Sequence, residues 1–173
     1  MEGKIILNLA IGLGGFIASE NGNFDWIKGD GDISLNTDAG EVFEEFIEGI
    51  DIIVMGNKSF IQGLAKDFKT KKVFVATRKK RDDDGNIHFI SGDIVKIIKN
   101  EKEKGKKIYL FGGGVLIDIL IKADVIDVYI IGTIPTILGN GRWLFLDNNP
   151  TLLLHLDKYT IEEGIPALHY SKR

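Results

Sequence analysis

Residues 107–123 read KIYLFGGGVLIDILIKA. Lys107–Phe111 is an apolar run of strand length, Gly112-Gly113-Gly114 is a turn, and Val115–Ala123 has the length and spacing of a helix. A buried strand that runs through glycine into a helix is the building unit of α/β folds. The same design recurs upstream. Ile50–Met55 (IDIIVM) reads as a buried strand, Gly56-Asn57-Lys58-Ser59 as its turn, and a short helix follows from about Phe60.

Further strands are predicted at Lys4–Ile11 (KIILNLAI), Lys72–Ala76 (KVFVA) and Val125–Ile131. Gly92–Gly105 is an amphipathic helix with Ile94, Val95, Ile97 and Ile98 inward, and Glu41–Gly49 a second one with Val42, Phe43, Phe46 and Ile47 on one face. Asp38 stands as its N-cap and Gly49 as its C-cap. Gly12–Gly40 reads as one long glycine-rich loop carrying Phe24 and Trp26, the kind of segment that serves as a lid or binding loop. Thr133–Leu144 reads as a loop, and Thr151–Tyr159 with Ile165–Tyr170 as a terminal hairpin. The repeated strand–helix–strand order predicts an α/β domain over residues 1–173. Its sheet is mostly parallel and is made mixed by the antiparallel hairpin.

Composition narrows the function. The chain has 173 residues, 22 Lys+Arg against 25 Asp+Glu, a net charge of −3 and 44% hydrophobic residues, which speaks against a disordered tail or a polybasic nucleic-acid binder. With no cysteine, thiol catalysis and Cys-ligated metals are excluded. No apolar run reaches the length of a membrane span, and the charged, glycine-broken start does not read as a signal peptide, so a soluble, cytoplasmic protein without membrane partners is expected. Glycine is in excess, at 21 residues.

Both strand–glycine–helix junctions are suited to phosphate, because a helix start offers unpaired N–H groups and a partial positive charge. Lys58 adds a cation and Ser59 a hydroxyl. One such turn is equally well explained as a tight turn; two at the carboxyl ends of strands favour a nucleotide with several phosphates. The standard dinucleotide fingerprint is absent, since Ile17 stands where Gly12-Leu13-Gly14-Gly15-Phe16-Ile17 needs its last glycine, and there is no Walker A loop. Thr77-Arg78-Lys79-Lys80-Arg81 follows the third strand. Its bland reading is a solvated turn; beside Lys58, Thr77 and Arg78 would grip an additional phosphate. His88, His155 and His169 show no ligand spacing, and no metal site is expected. Most carboxylates of the 38–48 segment form a wet helix face; Asp38 or Glu41 is the candidate proton donor or anchor.

Taken in order, Gly15-Phe16-Ile17-Ala18, Asp25-Trp26, Ile53–Phe60, Leu110–Gly114 and Pro135–Phe145 (PTILGNGRWLF) resemble the dihydrofolate reductase-like superfamily, and within it the RibD C-terminal (riboflavin-biosynthesis reductase-like) domain. The resemblance implies a three-layer fold with helices on both faces of a twisted sheet, NADPH as cofactor, and hydride transfer to a small heterocyclic or carbonyl substrate. It implies that Gly56, Asn57, Lys58, Ser59, Gly112, Gly113, Gly114, Val115 and Leu116 hold the pyrophosphate, and that Thr77 and Arg78 lie near the adenosine 2′-phosphate. Ile17 and Ala18 would lie against the nicotinamide, with Trp26 and Pro135 beside the substrate. It further implies a homodimer, to which the strand Val125–Ile131 would contribute. There are three departures from the family pattern: Gly14 replaces the usual loop aspartate, Asn57 the usual arginine, and Ile47-Glu48 stand where riboflavin reductases carry an arginine. The alternative implied by Gly14 is a degenerate member that binds a nucleotide and plays a regulatory or structural role.

Overall fold

A computed structural model describes residues 2–38, 40 and 43–173. In chain order the strands are β1 (Lys4–Gly12), β2 (Phe16–Ala18), β3 (Ile52–Gly56), β4 (Lys72–Ala76), β5 (Ile87–Ile90), β6 (Lys107–Gly112), β7 (Val128–Ile134), β8 (Arg142–Trp143), β9 (Leu154–Glu162) and β10 (Ile165–Lys172). The helices are α1 (Phe43–Glu48), α2 (Asn57–Ile61), α3 (Ile94–Glu103) and α4 (Gly114–Lys122), with a 3₁₀ turn at Leu64–Phe68.

Strands covered on both faces must be apolar on both, and β3 shows it: Ile52, Ile53, Val54 and Met55 are all buried. The main sheet has the order β5-β4-β3-β6-β1-β7-β10-β9. Its first six strands pair in parallel. The last two are the antiparallel hairpin, joined to β7 through β10.

One face is covered by α3 and α4. Leu116, Ile117, Leu120 and Ile121 recur at helical spacing and meet Ile5, Leu7, Leu110 and Ile108 of the sheet, with Ile98 of α3 beside them. The other face is aromatic. Phe46 of α1, Phe68 and Phe111 surround Tyr109 at ring-centroid distances of 5.1, 6.4 and 5.8 Å. The Tyr109 hydroxyl donates to the Asn8 carbonyl at 3.0 Å, so the burial that pushes its pKa up leaves no orphaned donor.

The structure corrects several sequence expectations. Gly12–Gly40 is not one loop: Phe16–Ala18 forms β2, which pairs with Arg142–Trp143, inside the second stretch expected to be irregular. Strands of three and two residues carry no periodic signal and exist only through tertiary pairing. Ile87–Ile90 forms β5, a strand hidden by its brevity and by the polar run before it. The helix expected from about Phe60 begins at Asn57, directly on the Gly56 turn. The strand expected at Val125–Ile131 runs from Val128 to Ile134, and both its edges are spent on β1 and β10. It therefore offers no free edge to a second subunit. The first described helical residue of α1 is Phe43, and the cap expected at Asp38 involves a helix start that lies outside the described residues.

Candidate functional site

The two glycine junctions meet. The β3–β6 ladder pairs Val54 with Leu110 but Met55 with Gly112, so it skips Phe111 and brings Gly112 level with the end of β3. A β-carbon on Gly113 would stand 3.6 Å from both Cα and N of Gly56. Gly112 and Gly113 have φ of +143° and +97°, a region from which side chains are largely excluded. The backbone is thus bare where two strand ends lie side by side, at the carboxyl edge of the sheet.

Each junction feeds a helix that no side chain caps. Gly113 is the N-cap of α4 and Gly56 that of α2. The Gly113 carbonyl accepts from Leu116 and Ile117 at 2.8 and 3.0 Å, while the first N–H groups of α4 have no acceptor within the helix. Ser59 is buried and Lys58 exposed, so the hydroxyl is the inward group of the first junction. Val115 is 64% exposed and Leu116 buried, which leaves Val115 backbone, rather than its side chain, at the turn.

The basic segment comes to the same place. Thr77 continues β4 by donating its N–H to the Ile90 carbonyl, and its hydroxyl accepts from Lys79 N–H at 3.2 Å. Arg78 is exposed. It is Arg81 that reaches the first junction: Nη1 donates to Oδ1 of Asn57 at 3.4 Å, and the guanidinium stands 5.2 Å from the centroid of the Phe89 ring. The sequence pointed to Thr77 and Arg78 of this run, and Arg81 is a further residue that the structure adds beside the junction. The missing signal was β5, whose Phe89 supplies the stacking surface. Asp83 ties this loop down by accepting from Phe89 N–H at 3.0 Å and pairing with Nδ1 of His88 at 2.6 Å. These two contacts, the His88 one first, hold its carboxyl below the usual range.

On the other side of the glycine turns stands the β2–β8 ribbon. Phe16 and Trp143 pair across it with ring centroids 4.2 Å apart, and a β-carbon on Gly114 would lie 3.4 Å from the Trp143 carbonyl. The ribbon therefore abuts the start of α4. Ile17 and Ala18 lie in it, half-buried, with Ile17 against the main core. Trp26 is half-buried over the end of β1, where a β-carbon on Gly12 would meet its ring at 3.5 Å and the Thr136 carbonyl at 3.0 Å. Pro135, next to Thr136, is exposed. Gly14 is exposed as well, and a β-carbon there would meet only the Phe16 ring, at 3.3 Å, among the described residues.

Beyond Trp26 the chain straps across to the hairpin. Asp30 N–H donates to the Glu163 carbonyl, Thr37 N–H to the Ile161 carbonyl, and Ile161 N–H to Oγ1 of Thr37. Asp38 follows directly and is exposed at this far wing of the sheet, apart from the glycine turns; Glu41 lies outside the described residues. Ile17, Ala18, Trp26, Asn57, Ser59, Thr77 and Gly112–Leu116 are thus brought to one edge of the sheet.

The profile of the RibD C-terminal domain family matches residues 3–170. The uncharacterized protein YyaP of Bacillus subtilis (strain 168) is 31% identical over 96% of this chain and 94% of its own length. A crystal structure of a putative riboflavin biosynthesis protein from Shewanella sp. PV-4 superposes with a TM-score of 0.83 at 26% identity, covering 98% of this chain and 99% of that one. Dihydrofolate reductase from Enterococcus faecalis, solved with NADP(H), shares the fold at a TM-score of 0.66 and 16% identity, over 100% of this chain and 98% of its own.

Proposed function

The chain belongs to the RibD C-terminal domain family, and from that premise we propose that it is an NADPH-dependent reductase acting on a small heterocyclic or carbonyl substrate. One observation carries the reading: two uncapped helix starts on bare glycine turns lie side by side, with a cationic loop reaching the first of them. That arrangement fits a dinucleotide, whose linked phosphates need two adjacent N–H cradles and whose extra 2′-phosphate needs a cation. Gly56, Asn57, Lys58 and Ser59 would hold one phosphate and Gly112 to Leu116 the other, with Thr77, Arg78 and Arg81 about the 2′-phosphate. Bound NADPH supplies a hydride at its nicotinamide.

The protein's part is placement. Ile17 and Ala18 would form the surface on which the nicotinamide rests, and Trp26 and Pro135 would border the substrate. The Phe16–Trp143 pair backs the ribbon and would hold this surface in place. Asp38 and Glu41 carry no step in this reading, Asp38 because it stands exposed at the far wing.

NADPH added to the purified protein should raise its melting temperature by mass action. Gly113→Asp should abolish that shift, because it sets a side chain at φ +97° and a negative charge at the phosphate turn. A Gly113→Asp protein that is folded and still stabilised by NADPH would falsify this placement. The degenerate alternative, favoured by the bare Gly14, is met if NADPH binds but no substrate-dependent oxidation is found across pterin and flavin precursors.

A further inference from the structure

Asparagine is a chemically labile residue, most of all before glycine, whose unhindered backbone nitrogen can attack the neighbouring side-chain amide. The chain has two such steps, Asn21-Gly22 and Asn140-Gly141. Attack requires a side chain free to swing back onto the main chain and a glycine N–H that no acceptor holds. At the first step both groups are tied. Oδ1 of Asn21 accepts from Asn23 N–H at 2.9 Å, and Gly22 N–H donates to the Ser19 carbonyl at 2.9 Å. Gly22 is also buried, with φ of +88°.

At the second step neither group is tied. Asn140 is exposed, and its N–H donates to the Leu138 carbonyl at 2.9 Å. Among the described residues, neither its side-chain amide nor Gly141 N–H has a hydrogen-bond partner. The step also lies where the main chain has no slack. A β-carbon on Gly141 would collide with the Ala18 carbonyl and stand 3.2 Å from Cβ of Phe16. Arg142 and Trp143 follow at once as β8, whose pairing with β2 sets Trp143 against Phe16.

We propose that Asn140 is a site of spontaneous covalent modification, deamidated by the backbone of Gly141, and that the product loosens the β2–β8 ribbon. The Gly141 nitrogen gives up its proton and bonds to Cγ of Asn140; the Cγ–Nδ2 bond breaks, and ammonia leaves with that proton. Water then opens the cyclic imide. Breaking its bond from nitrogen to Cγ leaves aspartate, and breaking the bond to the main-chain carbonyl carbon leaves isoaspartate. Aspartate brings a negative charge to the start of β8. Isoaspartate adds a carbon to the main chain there, which forces Gly141 off the Ala18 carbonyl and shifts Trp143 from Phe16. The reductase reading puts the nicotinamide on this ribbon, but the chemistry at Asn140 stands without that reading.

The test keeps the whole chain warm for days in mildly alkaline buffer made with heavy-oxygen water, and maps its peptides by mass spectrometry. Asn140 should convert about tenfold faster than Asn21, whose two hydrogen bonds must open first. Each converted chain should carry one heavy oxygen, with aspartate and isoaspartate both present. In denaturant the two steps should convert at similar rates. The melting temperature should fall in step with conversion in the unaltered chain and hold steady in Asn140→Gln, whose longer side chain closes a ring slowly. Equal rates at the two steps of the folded chain, or a contrast that survives denaturant, overturn the assignment. Conversion without a fall in melting temperature overturns the effect on the ribbon. Stabilisation of fresh protein by NADPH reports on the reductase reading separately, and its absence would leave the result at Asn140 as it stands.

Discussion

Arg81 is held from two sides, by Asn57 at the first glycine junction and by the face of Phe89. A guanidinium fixed this way loses little further entropy on meeting a phosphate. Arg81→Ala should therefore weaken NADPH binding about tenfold and leave NADH binding unchanged, since a charge-assisted hydrogen bond contributes roughly 1.5–3 kcal/mol. Equal losses for the two cofactors, measured by calorimetry, would show that Arg81 only shapes the loop. At this scale the sequence was informative about residue type and less so about address. The glycines at 56 and 112–114 were legible because a bare backbone between strand and helix has few other uses. Arg81 was not singled out, because it owes its position to a partner strand too short to announce itself.

Among the elements, the loop of residues 77–84 has its geometry set by β5. The Asp84–Ile87 bridge closes it, and Asp83 fastens it to His88 and to the Phe89 amide. The folded carboxyl of Asp83 titrates below its unfolded value, so its contribution to order is full above about pH 4 and is lost as pH falls through the lowered folded value. Acidification across that range should shift the Phe89 amide signal in NMR spectra, and Asp83→Asn should remove the transition. If the signal titrates unchanged in Asp83→Asn, another group governs the loop. Elements with strong internal pattern were readable from the chain: the apolar runs of β1, β3, β4 and β6, the 3.6-residue spacing of α3, and the hairpin. Elements that depend on contacts distant in sequence were not. β2 and β8 stand more than 120 residues apart, and neither forms without the other.

For the molecule as a whole, the core under α4 holds the glycine turns in register. Leu120 is fully buried among sheet residues that include Leu7 and Leu110. Leu120→Ala should cost roughly 2–5 kcal/mol through lost burial and the cavity left behind. Its melting temperature should fall while stabilisation by NADPH persists, because no cradle atom is removed. Loss of stabilisation in a folded Leu120→Ala protein would mean that α4 packing, and not the turns alone, sets the cofactor geometry.

The strap from Asp30 to Thr37 has a consequence for how the protein opens. Its backbone bonds to Ile161 and Glu163 add a second attachment to the outermost hairpin, which the β7–β10 ladder already holds. The edge of the sheet and the floor beyond Trp26 therefore form one cooperative unit in hydrogen exchange, their amides becoming labelled together. Fraying of the last strand and widening of the substrate end are then the same event, and a ligand that fills that end should slow exchange as far away as β9.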